Sequence, residues 1–177
     1  MRTTIRVIAL ACAWLLAACI TPPTHDAGTT FVVVRHAEKA DDDPRDPSLS
    51  ETGHARAQRL VQRLSGENLV AAYATDYWRT QQTVAPAARA RGIAVETYDA
   101  RQPATQLATR MKATHHHGAI LIAGHSNTVP DIVSALCDCT ANPMPDDEYD
   151  RISIVRIAGD GSATLEVLHD GAGAGSQ

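Results

Sequence analysis

The stretch Thr30-Phe31-Val32-Val33-Val34-Arg35-His36-Ala37-Glu38-Lys39 decides how the rest of this chain is read. Its apolar run, residues 31–34, is too short and too β-branched for a helix and reads as a buried strand. The strand ends on Arg35 and His36, a cation and a nitrogen nucleophile, at one rim of a sheet. Open α/β sheets bind ligands at that rim, beyond the carboxyl ends of their strands. An Arg-His pair alone is commonplace, and a terminal arginine usually just solvates. Its weight here comes from two later segments that deliver an arginine and a histidine to the same rim.

Working outward, a helix from about residue 50 to 65 carries Ala57, Leu60, Val61 and Leu64 on one face and Arg56, Arg59 and Arg63 on the other, and Gly66 ends it. Residues 69–74 read as a second strand. Thr75-Asp76-Tyr77-Trp78-Arg79 then turns into a helix running toward Gly92, with a kink expected at Pro86. Arg79 falls in the first turn of that helix, which is unfavourable for the dipole unless an anion sits there. Residues 93–97 form a short third strand, and a helix follows over about 104–114. The tract His115-His116-His117 at its C-terminus suits the helix dipole better than it suits a metal site. Residues 119–123 are almost wholly apolar, as expected of a central strand in a parallel sheet. That strand ends in Gly124-His125-Ser126-Asn127-Thr128 before a helix over 129–136, so His125 joins His36 and Arg79 at one rim. Residues 152–157 and 163–168 flank Gly159-Asp160-Gly161 as a terminal hairpin. The order β-α-β-α-β-α-β-α-β-β predicts an α/β three-layer sandwich, a mostly parallel central sheet flanked by helices and closed by an antiparallel hairpin.

The chain has 177 residues, 44% of them hydrophobic and 20% charged, which fits one domain with a sizeable core. That domain is expected over residues 30–169, with a tether at 19–29 containing Pro22-Pro23 and a flexible tail at 170–177. Residues 1–18 read as a signal peptide: Arg2 and Arg6 precede an apolar stretch, residues 7–18, too short to span a bilayer, and Leu16-Ala17-Ala18-Cys19 closes it. The closing motif resembles the lipobox of bacterial lipoproteins, which implies lipidation at Cys19 and attachment to a membrane through that lipid. Ile20 stands where an aspartate resembles inner-membrane retention, so an outer-membrane anchor facing the periplasm is expected. Removing residues 1–18 takes away Arg2 and Arg6 and no acid, moving the formal charge from -4 to -6. An acidic body without a basic run argues against nucleic acid as a partner. Any anion must therefore be held by a local pocket. Cys137 and Cys139 remain in an oxidising compartment, either as free thiols or as a tight disulfide, and no further ligands at metal spacing accompany them.

Two arginines and two histidines at one rim suit a dianionic tetrahedral group, of which phosphate is the obvious one. No carboxylate cluster at metal spacing and no Gly-rich nucleotide loop goes with them. The pattern points to covalent catalysis: a neutral imidazole attacks phosphorus while guanidinium groups stabilise charge on the equatorial oxygens. His36 is the expected nucleophile because Arg35 beside it positions the anion, and an acceptor should hold its other ring nitrogen.

The stretch F-V-V-V-R-H-A-E-K at residues 31–39, then Thr75-x-x-x-Arg79-x-x-Gln82-Thr83, then Gly124-His125-Ser126-Asn127-Thr128 resemble in order and spacing the three signatures of the histidine phosphatase superfamily, also called phosphoglycerate mutase-like. The resemblance spans about residues 30–168. It implies that His36 is phosphorylated, that Arg35, Arg79 and His125 complete the phosphate pocket with Asn127 as a further binding residue, and that no cofactor or metal is needed. It departs from the family at the proton donor. One branch has an aspartate directly after the second histidine, where this chain has Ser126; another carries a glutamate within an insertion that is missing here. Asp99, just past a strand end, is the expected donor, with Glu96 nearby and Asp131 a surface residue. The short chain is similar to the small phosphohistidine phosphatases, and weak acid catalysis would suit good leaving groups such as phosphohistidine or acyl phosphate.

The expected activity is that of a metal-independent phosphoric monoester hydrolase of the histidine acid phosphatase type, acting on a small phosphorylated substrate. A mutase is disfavoured, because export separates the chain from glycolytic substrates and it lacks the length for a substrate cap. A phosphate-binding or sensory lipoprotein with little turnover is the alternative from another class. A metal-binding lipoprotein using residues 115–117 and 41–43 is the weakest reading. Specificity would rest on loops such as 41–47 and 142–148, and the oligomeric state is left open.

Overall fold

β-branched and aliphatic runs separated by turn residues form six strands and four helices in a computed structural model that describes residues 28–171. The expected signal peptide, Cys19 and most of the tether lie outside the described residues. In chain order these are β1 (Thr29–Arg35), α1 (Glu51–Arg63), β2 (Leu69–Ala74), α2 (Trp78–Ala90), β3 (Val95–Thr97), α3 (Ala104–Thr114), β4 (Gly118–Gly124), α4 (Val129–Cys137), β5 (Arg151–Ile157) and β6 (Ala163–His169). One sheet holds all six strands in the order β3-β2-β4-β1-β5-β6. β3, β2, β4 and β1 run parallel, β5 pairs antiparallel with β1, and β6 pairs antiparallel with β5. The α/β sandwich and the terminal hairpin are as expected.

Successive residues of a strand face opposite sides of a sheet, and here both sides are apolar. Val32, Val34, Leu121 and Ala123 pack with Leu60 of α1, Leu64 at its C-cap, and Val84, Ala87 and Ala88 of α2. Phe31, Val33, Ile120 and Ile122 pack on the other face with Leu107 and Met111 of α3 and Val129, Ile132, Val133 and Leu136 of α4. β1 and β4 are therefore buried apart from Thr30 and Gly118, as continuous apolar strands flanked by helices on both faces must be.

Some local readings need correction, and others are completed. Arg56 is buried instead of lying on a solvated face: it makes a two-nitrogen contact with the Glu38 carboxylate (3.0 Å from Nε, 2.6 Å from Nη2) and bonds Asp170 at 3.1 Å from Nη1. Asp170 also accepts from Arg59 Nε at 2.7 Å, so a residue assigned to a flexible tail ties the end of the domain to α1. The tether reading likewise yields at its end, because Thr29 already belongs to β1. α2 is continuous through Pro86. Cys137 and Cys139 are joined as a disulfide around Asp138, whose backbone is left-handed (φ 52°). His115 has a packing role: its ring bonds the Tyr73 hydroxyl at 2.9 Å and its carbonyl accepts from Thr29.

α1 starts on Ser50, whose hydroxyl accepts from the Gly53 amide at 3.1 Å. At this point the helix presses on the segment that follows β1, because a Cβ added to Gly53 would collide with the backbone carbonyl oxygen of Glu38. Backbone moves less readily than a side chain. Gly53→Ala is therefore expected to lower stability by about 1–3 kcal/mol. Gly66→Ala, where an added Cβ meets nothing within 4 Å, should be neutral or mildly stabilising in the same thermal melts.

Candidate active site

The register of the two central strands builds the site. Arg35 pairs with Gly124 at the ends of β1 and β4, and the His36 amide donates to the Gly124 carbonyl at 2.9 Å. The residues after these strands, His36 and His125, are thereby neighbours, their ring centroids 5.5 Å apart in an edge-to-face arrangement. Arg79 arrives from α2. Thr83, one turn further along that helix, accepts from the Ala37 amide at 2.9 Å and donates to the Arg79 carbonyl at 2.7 Å, tying α2 to the segment after β1.

His36 is buried, and its Nδ1 lies 2.8 Å from the Ala37 carbonyl oxygen. A carbonyl can only accept, so Nδ1 carries the proton and Nε2 keeps its lone pair. Burial is the largest influence on the ring and lowers its pKa from 6.5 to about 3; Arg35, His125 and Arg79 push the same way, against the rise due to the Ala37 bond. His125 is lowered to about 4, first by burial and then by Arg79 and Arg35, with Asp76 opposing. Its Nε2 sits 3.1 Å from the Thr75 hydroxyl, which in turn lies 2.7 Å from that of Thr80. Both imidazoles are neutral at physiological pH.

The arginines carry the charge. Arg35 Nη1 donates to the carbonyls of Pro145 (3.3 Å), Asp146 (2.7 Å) and Glu148 (3.1 Å), while its Nε is buried without a partner. Arg79 has both Nε and Nη1 buried without a hydrogen bond, and Nη1 lies 3.5 Å from Asp46 Oδ1. Leaving such donors unmade costs roughly 1–3 kcal/mol each, more when charged. An anion bound between them would remove that penalty. Each guanidinium is also stacked on a tyrosine: Arg35 lies 4.0 Å from the centroid of Tyr149 and Arg79 lies 4.3 Å from that of Tyr77. A ring fixes the guanidinium plane without neutralising its charge, as a carboxylate partner would. The same two rings flank the histidines, Tyr149 at 6.0 Å from His36 and Tyr77 at 5.2 Å from His125.

Four of the expected site residues, Arg35, His36, Arg79 and His125, thus come together. Asp99 does not join them. It is exposed, and its carboxylate accepts from the backbone amide and the guanidinium of Arg101. Those bonds hold its pKa below the usual carboxylate value, the reverse of what a proton donor needs. Asn127 is exposed and makes no side-chain hydrogen bond to the site among the described residues; it borders a separate groove with Tyr98, Pro103 and Leu107. The anion inferred at the start of α2 is in part the protein's own, since Asp46 from the acidic loop accepts from the Trp78 amide at 2.9 Å and caps the helix from outside. Tyr77, Tyr149 and Asp46 were missed as site residues. Tyr77 stands two residues before Arg79 and was within reach of inspection; nothing local marks Tyr149.

Residues 31–101 match the family model described as histidine phosphatase superfamily (branch 1). The match covers less than half of the chain. Its fold is similar to that of the protein histidine phosphatase SixA complexed with tungstate, at 18% identity and a TM-score of 0.64 over 79% of this chain and 96% of that one. It is similar also to phosphoserine phosphatase from Entamoeba histolytica in complex with 3-phosphoglyceric acid (13% identity, TM-score 0.58, 81% and 98% covered). A third similar structure is Bacillus stearothermophilus YhfR (18% identity, TM-score 0.58, 81% and 96% covered). No curated protein matches the sequence. The matched segment carries Arg35, His36 and Arg79, and His125 lies beyond it.

Neutral buried imidazoles link stability to pH. As the pH falls from about 6.5 toward 3, the unfolded chain takes up protons at positions 36 and 125 that the folded chain refuses, so stability falls; above that window these groups contribute no slope. For His36 the loss approaches roughly 2 kcal/mol at pH 5. Melting temperatures at pH 5 and pH 8 should therefore differ more in the natural chain than in a His36→Gln/His125→Gln double variant. Equal pH dependence in both would refute the neutral, buried assignment.

Proposed function

We propose that the chain is a metal-independent phosphatase that hydrolyses small phosphate monoesters through a phosphohistidine on His36. The observation that carries this reading is the pairing of a His36 Nε2 lone pair, freed by the Nδ1 bond to Ala37, with buried guanidinium donors that have no partner. The substrate phosphoryl group takes those donors. Nε2 then attacks phosphorus as the bond to the leaving oxygen breaks, and Arg35 and Arg79 stabilise the equatorial oxygens. His125, neutral and oriented by Thr75, adds a polar contact that does not repel His36 as a second cation would. The tungstate of the SixA structure, a tetrahedral dianion like phosphate, agrees with such a pocket.

A specific observation favours a second reading. Asp99 is engaged with Arg101, so the acid expected to protonate a leaving alcohol is missing from the site. Either the substrate has a good leaving group, as phosphohistidine and acyl phosphates do, or the chain is a phosphate-binding or sensory lipoprotein with little turnover. The acid phosphatase subtype belongs to the first of these. The proposal also includes export, cleavage before Cys19 and lipid anchoring in the outer membrane, facing the periplasm; it rests on residues 1–20 of the sequence, and Cys19→Ser is expected to abolish labelling by a fatty-acid probe.

The deciding experiment incubates the full-length chain in detergent with radiolabelled acetyl phosphate and with an aryl phosphate, with and without chelator. An acid-labile, base-stable label on His36, insensitive to chelator and lost with activity in His36→Ala, is expected. Arg79→Ala should lower kcat by about 10²–10³, the usual cost of losing one charge-stabilising donor. A folded protein that binds phosphate but never labels would establish the binding reading instead.

A further inference from the structure

We propose that Asp146 is the general base of the hydrolytic half-reaction, the group that takes the proton of the water attacking phosphohistidine. This inference rests on the phosphohistidine reading above. Three carboxylates approach the pocket. Asp46 is committed to the Trp78 amide and to Arg79, and so belongs to the anion receptor. Asp76 is exposed and reaches His125 through its charge, with no side-chain hydrogen bond among the described residues. Asp146 is different, because both its main chain and its side chain are tied to the site.

Its carbonyl accepts from Arg35 Nη1 at 2.7 Å, and its Oδ1 accepts from Ser126 Oγ at 2.7 Å. Ser126 directly follows His125, and Arg35 directly precedes His36. The segment from Pro145 to Glu148 is thus strung across the rim between the ends of β1 and β4, held at one side by the Arg35 guanidinium and at the other by the Ser126 hydroxyl. Oδ2 makes no hydrogen bond among the described residues, and the side chain is exposed to water. A carboxylate with one oxygen anchored to the residue after His125 and the other open has what a base needs, an accessible lone pair and a fixed direction.

In the first step the His36 Nε2–P bond forms, the P–O bond breaks, and the leaving oxygen keeps its electron pair and is protonated by solvent. In the second step water attacks phosphorus, Asp146 Oδ2 takes its proton, and the P–Nε2 bond breaks with its pair returning to the imidazole. The products are inorganic phosphate and neutral His36, whose proton has stayed on Nδ1, donated to the Ala37 carbonyl, throughout; Asp146 then releases its proton to solvent. Ser126 is a positioning residue in this scheme.

Asp146→Asn tests it, in the full-length chain in detergent with p-nitrophenyl phosphate. The substitution is nearly isosteric, on an exposed side chain, and it leaves the main-chain bond to Arg35 in place. The expected result is a stoichiometric burst of nitrophenolate at close to the natural rate, then steady-state turnover slowed by about 10²–10⁴, the span of general-base contributions. Labelled phosphohistidine should accumulate, and added formate should restore part of the turnover. Ser126→Ala should slow the same step by a smaller factor, about tenfold. Unchanged turnover in Asp146→Asn, or burst and steady state slowed by one common factor, would overturn the assignment while leaving the phosphatase reading intact. Absence of any phosphohistidine in the natural chain would instead overturn that reading and this inference with it.

Discussion

The hydrogen bond from the His36 amide to the Gly124 carbonyl is the contact on which the rest of the site depends. It is the last rung of the parallel β1–β4 ladder, and it lies just where both chains leave the sheet. A slip of one residue would turn His36 to the other face, because side chains alternate along a strand. The register is held by two apolar faces, each packed on its own helix pair, so slippage would expose Val32 and Val34 to the α3–α4 layer and Phe31 and Val33 to the α1–α2 layer. Catalytic geometry is in this sense a by-product of core packing. The helices add the remaining constraint through Thr83, whose hydroxyl serves α2 and the segment after β1 together.

The electrostatic logic follows from burial. Four side chains able to carry positive charge meet at one rim, and four charges could not be accommodated there without partners. The protein resolves this by keeping the two imidazoles neutral and leaving the charge on the guanidinium groups, which stay protonated in any surroundings. Tyr77 and Tyr149 then hold the arginines in place of carboxylates. The arrangement leaves an excess of positive charge at the rim, able to take an anion, in a protein whose overall charge is negative. The positive charge is a local feature of the rim and not a general field of the protein.

The sheet, its helices and the four central residues were legible because each rests on a local signal: apolar runs bounded by Gly, Pro and polar turns, with Arg or His at their ends. β1, β2 and β4 were readable nearly to the residue for this reason, and the Pro145–Glu148 segment was recognisable as a loop. What could not be read is long-range. Arg56 looks like one more arginine on a polar helix face, and only the return of Asp170 beside Glu38 buries it. Asp99 was preferred as the acid because it follows a strand end, yet Arg101, two residues on, satisfies it locally. Tyr149 stacks on Arg35 from 114 positions away, and no spacing rule links the two.

The acidic residues around the pocket are the clearest case of function assembled by folding. At the position after His125 the chain has a hydroxyl, which can neither give nor take a proton readily near neutral pH. Read along the chain, that is a loss. In three dimensions the hydroxyl is a hook for a carboxylate twenty residues later, and the segment bearing that carboxylate is pinned by Arg35, whose Nε is left without a partner. The coupling has a consequence for exchange with solvent. When Arg35 tightens on an anion through its free donors, its three carbonyl contacts to Pro145, Asp146 and Glu148 remain available to hold the loop. Ligand binding and placement of the carboxylate are therefore linked through one guanidinium group.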